Sequence, residues 1–344
     1  MILAGDIGGT NTRLGLFEGS RDRPILSVEK TYPSGAHSSL EAIVRAFLEE
    51  QPVTIRYASF GIAGPVFDNR CRATNLPWEL DGDRIASTFN MGSVSLINDL
   101  VANAYGTAVL DSNDLETFNR GDPETRGNEA IISPGTGLGQ AGIYWDGSAR
   151  HPFPSEGGHS DFAPRNDIEW ELLGYLRNRY GRVSYERVLS GPGLLNTFRF
   201  LRDTGRGDQP EWLAEEMDGA DPAAVIARAA FSGRSPLCAQ TVDLFIKILG
   251  AEAGNLALKV LAVGGVWIGG GIMARWLAQC CEATEGISSF LPRQGLFMQA
   301  FTDKGRFKPL MEKIPVRVIL NDKTALLGAA SHAFELENGL PSSR

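Results

Sequence analysis

The 344-residue chain has only four cysteines and four histidines. Cys71, Cys238, Cys280 and Cys281 form no CxxC pair, and with so few histidines there is no zinc-ligand spacing. The thiols are expected to be free, as in a reducing cytoplasm. A basic excess is also missing: 33 Lys+Arg stand against 41 Asp+Glu, for a net charge of −8, which argues against a nucleic-acid partner. The longest uncharged apolar run, Val260 to Ala274, carries five glycines and is shorter than the roughly 20 residues of a membrane helix. Asp6 interrupts the apolar start before a signal-type segment can form, so neither a membrane span nor a leader is expected. Nor does any Gly-Lys dipeptide occur, which excludes a Walker A loop.

Glycine, by contrast, is abundant. There are 40, where an average usage of about 7% would give roughly 24. With 43% hydrophobic residues the chain can still bury a large core, so the surplus is not linker. It concentrates in turns at Gly5–Gly9, Gly135–Gly139, Gly157–Gly158, Gly191–Gly193, Gly264–Gly265 and Gly269–Gly271. The length predicts two domains.

The pattern alternates strands and helices, an α/β class. Strands are predicted at Ile2–Ala4 and, after a glycine turn, around Leu14–Leu16, then at Tyr57–Ile62, Val94–Ile97, Ala130–Ser133, Gln140–Trp145, Val266–Ile268 and Val316–Leu320. Helices are predicted at about 39–50, with Leu40, Ile43, Val44, Phe47 and Leu48 on one stripe, and at 100–110, 236–261, 275–281 and 324–336. Residues 111–127 are polar and make a boundary; 203–221 is a second charged, Gly/Pro-containing stretch. The strand–glycine turn–strand opening recurs once, at 130–145.

A glycine turn can aim backbone N–H groups at phosphate oxygens without a lysine, or can exist only to supply a positive φ. The turn Gly5-Asp6-Ile7-Gly8-Gly9-Thr10-Asn11 enters a strand, whereas a dinucleotide fingerprint enters a helix; Glu29, about twenty residues on, is the one feature favouring a dehydrogenase. Asp6 is placed to hold hydrated Mg²⁺ beside phosphates, or simply to stabilise its own turn. Asn98-Asp99 falls where a strand ends and a helix starts, and Asp99 reads equally as a functional carboxylate or as the helix N-cap. Glu156-Gly157-Gly158-His159 has i, i+3 spacing that could suggest metal ligation on a helix, but its glycines favour a loop carrying polar side chains to a hydroxyl-rich ligand. Glu186 falls in the first turn of a short helix, where the dipole alone favours it.

Taken together and in order, Gly5-Asp-Ile-Gly-Gly-Thr-Asn, Leu96-Ile-Asn-Asp, Pro134-Gly-Thr-Gly-Leu-Gly, Glu156-Gly-Gly-His-Ser-Asp-Phe-Ala-Pro, Glu186-Arg-Val-Leu-Ser-Gly-Pro-Gly, Gly269-Gly-Gly-Ile and Asp303-Lys-Gly-Arg-Phe resemble the bacterial glucokinases over essentially the whole chain. The Cys-rich zinc motif of the sister group of repressors and kinases is absent, so the resemblance is to the zinc-free group. It implies a two-domain, actin-like (ribonuclease H-like) ATPase fold of the sugar kinase, actin and heat-shock chaperone superfamily, with the active site in the interdomain cleft. Expected domains are 1–109 with about 300–344, and 110–299.

The resemblance further implies ATP-dependent phosphorylation of the glucose 6-hydroxyl. Asp99 would be the general base, with Asn98, Glu156, His159, Glu186 and, in the Thr74-Asn75 segment, Asn75 on the other hydroxyls. Gly5–Asn11 would hold β- and γ-phosphates, Gly135-Thr136-Gly137 the opposing side of the triphosphate, and Gly269-Gly270-Gly271 the adenosine, with Mg²⁺ near Asp6 and a homodimer as the assembly. Two departures are Ser133-Pro134 before the second turn and Tyr185 before Glu186, where the family commonly has an aliphatic residue. A kinase for mannose, fructose or an N-acetylated sugar is the close alternative. A sugar-sensing repressor would need a DNA-binding module, and the phosphate motif already starts at residue 5.

Overall fold

The structure, a computed structural model, describes residues 1–73, 76–122, 124–282 and 290–339. Asn75 and Thr74 lie outside the described residues. From the N-terminus the chain runs β1 (Ile2–Ile7), β2 (Asn11–Ser20), β3 (Arg23–Pro33), α1 (Leu40–Glu50), β4 (Tyr57–Ile62), β5 (Val66–Phe67), β6 (Arg70–Arg72), β7 (Glu79–Asp81), α2 (Gly82–Phe89), β8 (Ser93–Asn98), α3 (Asp99–Gly106), β9 (Leu115–Asn119) and β10 (Glu129–Pro134). It continues with β11 (Leu138–Trp145), β12 (Arg150–Ser155), α4 (Asp167–Tyr180), α5 (Gly191–Asp203), α6 (Glu211–Asp218), α7 (Pro222–Phe231), α8 (Pro236–Val260), β13 (Gly265–Ile268), α9 (Gly271–Glu282), α10 (Leu291–Thr302), α11 (Lys308–Met311), β14 (Val316–Ile319) and α12 (Thr324–Glu337).

Two compact units result. One comprises Met1–Leu115, Ala141–Pro154 and Asn321–Arg344; the other comprises Glu116–Gln140 and Ser155–Leu320. The expected division at 109 and about 300 falls instead at 115 and 320, with a hairpin segment returned to the first unit. The polar stretch 111–127 does contain the border, but it also contains β9, an edge strand of the second sheet.

The first sheet has the order β3-β2-β1-β4-β8 and the second β12-β11-β10-β13-β14-β9. Five strands of the second thus repeat the first element for element, so the recurring hairpin seen in the sequence marks a duplicated half-sheet. In the first sheet β1, β4 and β8 run parallel, and the alternation along β1 sends Leu3 and Ile7 to one face and Ile2 and Ala4 to the other. The first face packs on the α1 stripe of Leu40, Ile43, Val44 and Phe47, and the second on Leu326, Ala329, Ala330 and Ala333 of α12. Helix α1 starts where Ser39 accepts the Ala42 N–H, at 3.3 Å.

Helix α12 also grips α3, through two reciprocal glycines. A Cβ on Gly328 would stand 1.8 Å from the Ala102 carbonyl oxygen, and one on Gly106 would stand 2.1 Å from that of Thr324. Both obstacles are helix backbone and cannot swing aside. Gly328→Ala is expected to destabilise the first unit by about 3 kcal/mol, read as a lower chemical-denaturation midpoint; an unchanged midpoint would refute the close crossing. In the second unit the 25-residue α8 is the central helix, with Leu244, Phe245, Ile248 and Leu249 buried, and Gly250 admits the Phe297 carbonyl of α10 in the same way. Helix α6 lies inside the stretch 203–221 that composition marks as polar: it has one fully buried residue, Leu213, and Pro210 at its N-cap gives no side-chain cap to read.

Candidate active site

In the first unit the register decides where the functional groups emerge. Ile7 pairs with Ile62 and Ile62 with Asn98, all in parallel strands. The Gly8-Gly9-Thr10 turn and the start of α3 therefore leave the same carboxyl edge of one sheet, the edge where α/β folds bind ligands. The turn is a tight link from β1 to β2, closed by the Gly8 N–H to the Asn11 carbonyl at 2.9 Å. Gly8 does not have a positive φ there. A residue that the sequence did not single out clamps it: buried Ser34 donates from Oγ to the Gly8 carbonyl, 2.8 Å, while its N–H bonds the Thr10 carbonyl, 2.8 Å.

At the start of α3 the cap is Asn98, not Asp99. Asn98 Oδ1 accepts from the N–H groups of Leu100 (2.9 Å) and Val101 (3.3 Å), and its Nδ2 donates to the Gly64 carbonyl at 3.1 Å. Asp99, one residue inside, is relieved of the capping role that it could equally have held. Its Oδ1 meets the Leu100 N–H at 2.9 Å, and the helix N-terminus favours a negative charge there. Gly61 on β4 makes this approach possible, since a Cβ on it would stand 2.8 Å from that of Ala102.

Asp6, half-buried at the end of β1, has its carboxyl pushed up by burial, pulled down by Arg13 and pushed up by Asp322. Arg13 in turn bonds the Asp322 carboxylate at 3.1 Å. Among the described residues no group of three or more His, Cys, Asp or Glu could hold a metal. The donor set suits a hydrated Mg²⁺ that arrives on phosphates, which asks for one or two carboxylates and keeps its waters.

In the second unit the parallel pair β10–β13 aligns Ile132 with Ile268. The turns Gly135–Gly137 and Gly269–Gly271 therefore leave the same edge and touch. Gly270 takes φ +77°, and a Cβ on it would stand 2.4 Å from the Pro134 carbonyl. Here a positive φ is required; at Gly135 and Gly137 it is not. Beside these turns is a cavity of about 440 Å³, lined by Gly135, Thr136, Asp221, Ile272, Arg275 and Trp276 among others. Mostly apolar walls with a few polar groups suit a nucleoside.

Glu156, His159 and Glu186 come together. His159 Nε2 lies 4.0 Å from Glu156 Oε2, and its Nδ1 lies 4.0 Å from Glu186 Oε1. Glu156 and His159 are 62% and 59% exposed and Glu186 32%, so the trio is open to a ligand. The loop expected between Glu156 and His159 is instead a single 3₁₀ turn, Gly157–His159. Its glycines have a packing reason: a Cβ on Gly158 would meet the Leu138 carbonyl at 1.9 Å, and one on Gly157 the Gln140 side chain at 2.1 Å. Glu186, in the 3₁₀ turn Tyr185–Arg187, accepts the Leu138 N–H through Oε2 at 3.0 Å, which leaves Oε1 for a ligand. Gly137 must be glycine for this, as its Cβ would stand 2.5 Å from Glu186 Oε2.

Two β-sheet units with glycine turns at strand ends, one with a carboxylate at a helix start and one with a carboxylate–imidazole trio, are of the actin-like fold class to which sugar kinases belong. The glucokinase family model matches residues 3–336. Glucokinase from Synechocystis sp. is 42% identical over 96% of each chain, and that from Yersinia enterocolitica is 36% identical over 96% of this chain and 95% of the other. Among solved structures, a glucokinase from an Antarctic psychrotroph matches with a TM-score of 0.81 at 30% identity, covering 96% of this chain and 98% of that one. A ROK family glucokinase from Streptomyces griseus shares the fold, at a TM-score of 0.62 and 20% identity. The chain belongs to the glucokinase family, and its reaction is the ATP-dependent phosphorylation of glucose.

Proposed function

We propose that Asp99 takes the proton of the glucose 6-hydroxyl as that oxygen attacks the γ-phosphate of ATP, giving glucose 6-phosphate and ADP. The observation that carries this reading is the parallel register of Ile7, Ile62 and Asn98, which brings the first glycine turn and Asp99 to one sheet edge. Asn98, Glu156, His159 and Glu186, with Asn75, bind the remaining hydroxyls. Carboxylates, amides and an imidazole offer both acceptors and donors, so a sugar with a hydroxyl in the wrong place leaves one of them unpaired.

Backbone N–H groups of Gly5–Asn11 and of Gly135–Gly137 take the phosphates, and the 440 Å³ cavity beside Gly269–Gly271 takes the adenosine. Phosphoryl transfer depends chiefly on positioning and charge stabilisation, so an acidic protein can perform it with local dipoles. Mg²⁺ would be held near Asp6 and would neutralise phosphate charge. The two compact units serve as the two domains. A homodimer follows from the resemblance to the family. A cytoplasmic location is supported by ATP as co-substrate and by buried free thiols at Cys71 and Cys238. Among the described residues no helix is long and apolar enough to cross a membrane.

The test is ADP release with a panel of hexoses at equal concentration. Glucose should give a kcat/KM at least about tenfold above mannose, fructose and N-acetylglucosamine, the discrimination that one mispaired buried polar group provides. A better turnover of any other sugar would reassign the substrate.

A further inference from the structure

The Asp303-Lys-Gly-Arg-Phe segment has no part in the site described so far, yet Lys304 turns inward from the end of α10. Its Nζ donates to two groups of α8, the Ala251 carbonyl at 3.0 Å and Asn255 Oδ1 at 2.8 Å. Gly254 leaves the path open: a Cβ there would stand 2.7 Å from Lys304 Cε. With its oxygen committed to Lys304, Asn255 presents its Nδ2 to Glu252 Oε2 at 3.1 Å and to the Tyr185 hydroxyl at 3.2 Å. Glu252 is fully buried, and its other oxygen accepts from Gln140 Nε2 at 2.9 Å. A carboxylate in such a place is tolerable only with donors and a cation at hand.

The far ends of this network are the backs of the two sugar-facing segments. Tyr185 directly precedes Glu186, and burial and the Glu252 carboxylate push its phenol pKa up, in keeping with a hydroxyl that donates to Glu252. Gln140 packs under Gly157, the residue after Glu156, so closely that a Cβ there would stand 2.1 Å from its Oε1 and displace it. Tyr185 thus supplies the hydroxyl that ties the Glu186 turn to α8.

We propose that Lys304, acting through Asn255 and Glu252, is a positioning residue for glucose: it fixes Tyr185 and Gln140, and through them the Glu186 turn and the Glu156–His159 turn. This rests on the reading of Glu156, His159 and Glu186 as sugar ligands. Withdrawing the ammonium leaves the Asn255 amide free to rotate and the buried carboxylate without its charge partner, so Tyr185 loses a fixed acceptor. The nucleotide cavity takes no part in the network.

The experiment compares the full-length parent with Lys304→Met, Lys304→Arg, Tyr185→Phe and Glu186→Gln, measuring kcat, the KM for glucose and for ATP, and Tm. Lys304→Met should raise the glucose KM about tenfold while the ATP KM and kcat stay within about threefold, the loss of one well-placed hydrogen bond in the sugar site. Lys304→Arg should restore most of that loss, and Tyr185→Phe should raise the glucose KM in the same direction. Should Lys304→Met not fold, Tyr185→Phe decides alone, because it removes one hydroxyl and leaves the charges in place. A glucose KM within twofold of the parent in both Lys304→Met and Tyr185→Phe overturns the proposal, as does a uniform fall in kcat and rise in both KM values that Lys304→Arg does not rescue. If Glu186→Gln leaves the glucose KM unchanged, the sugar-ligand reading itself fails; if it raises that KM while the other variants do not, only the positioning role is lost.

Discussion

Asp99→Ala is expected to lower kcat about 10²–10⁴-fold, the usual worth of a general base, with folding and glucose binding close to the parent. The separation of these effects follows from the capping geometry. Asn98 satisfies the Leu100 and Val101 N–H groups, so removing the Asp99 carboxylate leaves the cap in place; α3 loses the Asp99 Oδ1 contact with the Leu100 N–H and a favourable charge at its first turn, the latter about 0.3–1 kcal/mol. Asn98→Ala should do the reverse in part, losing about 0.5–2 kcal/mol of stability through the cap. Single-turnover phosphorylation and calorimetric glucose binding on purified Asp99→Ala provide the check. Turnover within tenfold of the parent would show that another group takes the proton.

The second large effect is expected at Glu186. Glu186→Ala removes both the acceptor proposed for glucose and the acceptor of the Leu138 N–H that follows the Gly135–Gly137 turn. A hydrogen bond to a charged group is worth about 1.5–3 kcal/mol, so the glucose KM should rise about 10–100-fold. Because Leu138 N–H loses its partner as well, the ATP KM should rise too, by a smaller factor. Glu186→Gln keeps an oxygen that can still accept from Leu138, and should spare ATP while weakening glucose. If the two variants affect ATP equally, Glu186 does not brace the phosphate turn.

Much of this arrangement is legible in the order of the residues. The strand–glycine turn–strand opening, the α1 stripe, the long α8 and the closing α12 each follow from periodicities of 2 or 3.6 residues that no tertiary contact needs to reveal. The glycine motifs mark the turns that follow β1, β10 and β13, and Asn98 and Asp99 stand at a strand end. What the sequence left open at Asp99, a functional carboxylate or the helix N-cap, needed the hydrogen bonds: the geometry assigns the cap to Asn98, one residue earlier. Ser34, Gln140, Glu252 and Asn255 gave no local signal, because each acts on a residue at least 24 positions away, and Lys304 stands in a motif whose partners on α8 lie about 50 positions away.

The glycine surplus divides along the same line. Sequence alone determined that the excess clusters in a few short turns between strands and helices. Only the tertiary structure decided what several of these glycines make room for: Gly137 against Glu186, Gly157 against Gln140, Gly158 against the Leu138 carbonyl and Gly5 against Phe60 are close approaches and not left-handed turns. It also placed Gly106, Gly328, Gly250 and Gly254 at helix crossings that no motif announces. A turn is a property of a few consecutive residues and is written in their order, whereas a close approach depends on the partner backbone, which in this chain comes from as far as 226 residues away, between Ala102 and Gly328.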